Sequence, residues 1–166
     1  RHLLASTAAS GVALALPKFA FADAPANPTL TAFNGLMDTF FQENLRESPE
    51  RATILGLDKG PNADLKSKLS DESAAGIAAT KALGASQFTR LKAVDASGFA
   101  DADRVNYDTL MYVAESRDRD AKFDFGGNAF GLSPYPVSQL TGVYQSVPDF
   151  LDTKHRIEHA ADADAY

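Results

Sequence analysis

The stretch HRIEH, His155 to His159, is where residue types and spacing come closest to chemistry. It spells H-x-x-E-H, in which two imidazoles can hold a zinc ion and the carboxylate between them can serve a bound water. On a helix advancing roughly 100° per residue, His155, Glu158, His159 and Asp162 fall within an arc of about 100°. Histidines four residues apart on one helix face are a recognised ligand pair. Phe150, Ile157, Ala160 and Ala161 fall on roughly the opposite side and are expected to face the core, leaving the histidines to look mostly outward, except where another element covers them. Leu151 on the histidine side and Asp164 on the apolar side blur this division.

Zinc catalysis asks for more than a pair. It needs a third protein ligand and a shaped, water-excluding cavity. No histidine follows His159, and Ala160-Ala161-Asp162-Ala163 lacks the bulky apolar residue and glycine-containing turn of inverted-motif peptidases. The competing reading is a solvated helix face with contacts among Lys154, His155, Glu158 and Asp162. That reading is adopted, and no catalytic, cofactor-binding or metal residue is assigned in this chain. An inverted-motif peptidase using His155, Glu158 and His159 stays as a rival. Other templates do worse. There is no G-x-S-x-G, P-loop or dinucleotide fingerprint, and Phe125-Gly126-Gly127-Asn128-Ala129 follows no clear strand and carries no lysine. Asp101 and Asp103 open a helix, where acids are expected in any case.

The elements that must position these residues read as helices. In TLTAFNGLMDTFFQENLRES, Leu30, Phe33, Met37, Phe40, Phe41 and Leu45 recur mostly at steps of three and four, with Asn27 or Thr29 as cap. SPERATILG places Ser48 as N-cap, Pro49 at the first helical position and Gly56 at the end, with Ile54 and Leu55 inward. Asp58 to Leu65 is a loop. A long helix over about 71 to 95 starts from Ser70, with Ile77, Leu83, Phe88, Leu91 and Val94 on its apolar side. Asp101 caps another, on which Val105, Leu110, Tyr112 and Val113 offer contacts. KFDFGGNAFGLSPYP, 122 to 136, breaks the pattern with glycines, prolines and four aromatics. It is a connection pinned by its own rings, or a loop lining a cleft. Ser146 and Asp149 flank Pro148 as the start of a last helix running to Tyr166. No strand and no internal repeat is evident, so the fold class is all-α, a helical array.

Composition narrows the setting. Apolar residues at 45% and charged residues at 23% are the proportions of a folded domain. No cysteine is present, which rules out disulfides and thiolate zinc sites. Residues 1–22 read as a signal peptide, with a basic head, an apolar run from Leu3 to Leu16 and cleavage after Ala22. Arg1-His2-Leu3-Leu4 fits the second arginine of a twin-arginine signal cut at its front. Residues 23–29 are a flexible leader, and 30–166 form one helical unit. Without Arg1 and Lys18 the chain keeps 14 basic against 22 acidic residues, a net charge of −8. Such a balance suits the periplasm, gives nucleic acid no basic patch and avoids anionic membrane surfaces.

The order of motifs carries a resemblance. An F-rich first helix precedes SPERATILGL and LSDES, then DRVNYDTL, then PYPVSQLTGVYQSVPDFL, and last a helix of the form H-x-I-x-x-A-x-D-A-x-A-Y. This resembles the N-terminal part of the bacterial family catalogued as domain of unknown function 885. It covers essentially all of the mature segment, most specifically Pro49 to Leu57 and Pro134 to Leu151. The resemblance implies an exported, largely helical zinc peptidase, in which metal-activated water attacks a peptide carbonyl. It also implies that the zinc ligands lie in a His-Glu motif downstream. No His-Glu dipeptide occurs here, so none of the family's site residues maps onto this chain. The expectation is an N-terminal framework of a larger protein, inactive alone, cut mid-helix at Tyr166. Zinc and a peptide substrate belong to the full-length parent. The alternative is a non-catalytic periplasmic interaction module. Oligomeric state is not fixed by any of these features.

Overall fold

The computed structural model describes residues 27–123, 137 and 142–165, the last without its side chain. The signal segment, the leader up to residue 26 and the 124–136 part of the aromatic stretch lie outside the described residues. Helices dominate, and no strand occurs among the described residues. None of their helices is long and apolar enough to cross a membrane.

Helix α1, Pro28–Glu47, starts where the capping chemistry expects it. The Asn27 side-chain oxygen accepts from the N–H groups of Thr29 and Leu30 at 3.0 and 3.2 Å. Its amide nitrogen donates to the Gly98 carbonyl at 3.3 Å, tying the helix start to a distant turn. Asn27→Ala should therefore cost about 1 kcal/mol in chemical denaturation. A loss below a few tenths would mean that the cap is idle.

Two apolar clusters organise the molecule. Phe33, Leu91, Ala96 and Phe99 form the first, with Leu30, Met37, Phe40, Val94, Tyr107, Met111 and Ala114 packed round it. Leu45, Ala52 and Leu65 form the second. Of the α1 stripe, Phe41 stays exposed. Along the first cluster, α1 meets α3, Ala74–Lys92, and α4, Asp101–Asp120. The second gathers α1, the short α2, Pro49–Ile54, and a 3-10 helix, Gly60–Ser67, which replaces the loop expected at 58–65. Pro61 sits in the first turn of that 3-10 helix, and the Leu65 side chain is buried at its end.

Local chemistry explains the other departures. In α2 the buried residues are Pro49 and Ala52, whereas Ile54 and Leu55 are exposed. Ile54 lies about 200° round from Ala52, so a single short helix cannot bury both. The helix closes as expected: Gly56, at φ 68°, and Leu57 donate back to Thr53 and Ala52. Helix α3 starts later than expected because Ser70 is drawn away. Its N–H and hydroxyl both donate to the Glu50 carboxylate, at 2.8 and 2.7 Å. Ser73 takes over as cap, accepting from the Gly76 N–H. A Cβ on Gly76 would collide with the Asp71 carbonyl, so the glycine lets this lead-in fold back on the helix.

Asp101 does not cap α4. It is the first helical residue, at φ 46°, and the N-cap is Ala100. With Phe99 fixed in the core, the backbone of Asp101 makes the turn into the helix. The inward side of α4 is Tyr107, Met111 and Ala114. Val105, Leu110, Tyr112 and Val113 are exposed instead. The inward set follows the four-then-three spacing of one helix face, which the exposed set does not share.

Candidate functional site around His155

The last helix of the sequence reading divides in two. Helix α5 spans Val143–Thr153 and α6 spans Ala160–Ala165. Ser146 is not an N-cap: it lies inside α5, where its hydroxyl donates to the Gly142 carbonyl. The chain leaves α5 through two backbone bonds onto one acceptor. The N–H groups of Lys154 and His155 both donate to the Phe150 carbonyl, at 2.9 and 3.0 Å. Residues 155–158 are not helical, so HRIEH does not present an i,i+4 face.

The four residues of the expected arc meet different fates. His155 is buried, at 8% exposure, and so falls under the exception to the outward orientation expected of the pair. Its ring lies edge-on to Phe150, with centroids 6.4 Å apart. His155 Nε2 is 3.3 Å from the Asp162 carbonyl oxygen, which can only accept, so in this contact Nε2 carries the proton. His159 is exposed, as expected. Its backbone N–H and that of Glu158 donate to Asp162 Oδ2, at 3.0 and 2.8 Å. Asp162 thus holds the start of α6 in the manner of a capping box, reaching back from the third helical position to the cap.

Lys66, from the 3-10 helix, completes the arrangement. Its ammonium lies 2.8 Å from Asp162 Oδ2 and 3.3 Å from Glu158 Oε2. The carboxylates expected to contact Lys154 and His155 are instead claimed by a lysine more than ninety residues earlier. No local pattern announces that partner. The Lys66 hydrogen bond, joined by the two backbone N–H groups, lowers the Asp162 pKa to about 2. The same bond raises that of Lys66. A folded-state value below the unfolded one stabilises the fold above the unfolded pKa. That contribution fades as pH falls from near 4 toward 2. Carboxyl-resolved NMR titration should place the Asp162 midpoint near 2. In Lys66→Met the midpoint should rise toward the ordinary aspartate range, and an unmoved midpoint would break the assignment.

In this arrangement most of these residues are committed to partners within the protein. With its proton in place, His155 Nε2 is a donor, which leaves Nδ1 as the ring's one lone pair. Asp162 Oδ2 already accepts three donors, and Glu158 Oε2 faces an ammonium. Among the described residues, no three His, Cys, Asp or Glu side chains converge in a way that could hold a metal ion.

A concavity lies beside the first cluster. It is an open groove lined by Pro28, Ala32, Leu36, Arg90 and Val94 among others. Arg90 is committed elsewhere: its two terminal nitrogens bind the Glu43 carboxylate at 2.8 and 2.6 Å, and its guanidinium lies 4.6 Å from the centre of the Phe40 ring. That hydrogen bond is the main cause that lowers the Glu43 pKa. The groove offers apolar walls and a neutralised cation rather than a reactive constellation.

An all-α helical array, with a late histidine motif lying between two helices, defines a class of protein rather than a reaction. The sequence profile of the family described as bacterial protein of unknown function (DUF885) matches residues 49–166. The chain belongs to that family. No curated protein and no solved structure matches it significantly.

Proposed function

We propose that this chain is the N-terminal framework of an exported, zinc-dependent peptidase whose metal and peptide substrate are held by residues outside it. Family membership over residues 49–166 supports this reading. The observation that carries it is the use made of HRIEH: Glu158 and Asp162 are bound to Lys66, and His155 is buried against Phe150. The nearest thing to a metal motif in this chain fastens a helix. Export rests on the basic head, apolar run and Ala-x-Ala exit of residues 1–22, with the periplasm as destination.

The test uses elemental analysis and a peptide-hydrolysis assay on the purified chain. Substoichiometric zinc and no chelator-sensitive hydrolysis are expected, both unchanged in a His155→Ala/His159→Ala variant. One zinc per chain, lost in that variant, would overturn the proposal in favour of the inverted-motif peptidase. A His-Glu motif encoded downstream of Tyr166 in the same reading frame is the accompanying expectation. A stop codon there would favour the interaction module. Val105 and Tyr112, exposed at 63% and 70% on α4, are the observation on that module's side.

A further inference from the structure

The interruption between α5 and α6 is not made by a helix-breaking residue. From Asp149 to Tyr166 there is neither glycine nor proline, and alanine occupies four of the six residues of α6. Without such a residue, a helix breaks where side chains claim its backbone groups. What intervenes is partly local and partly tertiary. Lys66 binds Asp162 and Glu158, Asp162 accepts from two backbone N–H groups, and His155 folds against Phe150.

We propose that residues 154–159 are a latched hinge, in which Lys66 holds open a break whose alternative is one continuous helix from Val143 to Ala165. Each state has something the other lacks. The broken state buries His155 and satisfies Asp162. It also leaves Ile157 at 56% exposure. In the continuous helix Ile157 stands seven residues beyond Phe150, within about 20° of the same face, so it gains an apolar side to lie on. The intervening N–H groups gain carbonyl partners four residues back. His155 then moves about 140° away from the Phe150 direction and leaves its buried position. Two arrangements built from the same residues, separated by one lysine contact, make a bistable element. Because α6 rests on the 60–67 turn through this contact, straightening would carry α6 off the body as an extension of α5.

The unmodified chain supplies the first measurement. Relaxation dispersion and saturation transfer report exchange on the microsecond-to-millisecond scale and slower. Residues 154–159 should share one exchange process whose minor state, on the order of 0.1–10% populated, has helical carbon shifts. In Lys66→Met that population should rise roughly tenfold or more, since charge-assisted bonds to two carboxylates are lost. Arg156→Pro, which forbids a continuous helix, should abolish the process in both backgrounds. A native chain without any helical minor state at 154–159 overturns the proposal, whether or not Lys66→Met folds. So does a folded Lys66→Met chain whose helical minor state at 154–159 is no more populated than in the native chain.

Discussion

Replacing Phe33 by alanine should lower the unfolding free energy by about 3–5 kcal/mol. Phe33 is 4% exposed and sits where α1, α3 and α4 meet. Its ring centroid lies 5.3 Å from Phe99 and 5.9 Å from Tyr107, and those two rings are also 5.9 Å apart. The three therefore form a closed set of tilted and edge-on contacts, each worth about 0.5–1.5 kcal/mol beyond the area it buries. Alanine removes one corner of the triangle and leaves a cavity that three helices cannot close together. A domain of this kind is stable by about 5–15 kcal/mol in all, so the variant should be marginal at room temperature. Phe33→Leu refills much of the volume but not the ring geometry, and should lose less. Urea denaturation followed by circular dichroism checks both. A loss below about 1 kcal/mol for the alanine variant would mean that this cluster is not the centre of the fold.

Leu45→Ala should cost about 2–5 kcal/mol. Leu45 is fully buried, and its partners Ala52 and Leu65 are 0% and 1% exposed. Here α1 meets α2 and the 60–67 turn, and Leu45 is the large residue that joins them. The two sites are twelve residues apart on α1, about 18 Å along the helix. They share no partner in either cluster. The double variant, if it folds, should therefore lose the sum of the single losses to within about 0.5 kcal/mol. A large departure from additivity in the same denaturation measurement would mean that the clusters are one core.

Residue patterns revealed much of this arrangement. Asn27 and the Phe33-to-Leu45 spacing located α1, and Pro49 with Gly56 bracketed α2, because capping and closing are local chemistry. Where competition between partners decides, local patterns misled. Ser70 and Ser73 are equivalent caps until Glu50, on another helix, takes the first. On α4, hydropathy favoured Val105 and Val113, yet the inward face belongs to Tyr107 and Met111. Tyr107 can point its ring inward because its hydroxyl reaches the Leu91 carbonyl, at 3.5 Å. The HRIEH motif was visible at once, and so was the fact that no histidine follows His159 in this sequence. The break that disperses it was not, because Lys66, which binds Glu158 and Asp162 there, is far away in sequence.

Between α1 and α3 runs a row of polar contacts: Glu43 with Arg90 and Gln87, Asn44 with Gln87, and Glu47 with Thr80. Apolar packing is forgiving about axial slippage, since one leucine-sized ridge resembles the next. This row is not forgiving. Sliding α3 by one turn, about 5.4 Å, would part the Glu43 carboxylate from its guanidinium while both remain half covered by the helices. The row therefore works as a vernier between two smooth cylinders, singling out one alignment, and a change at either Glu43 or Arg90 should be tolerated only with a matching change at the other.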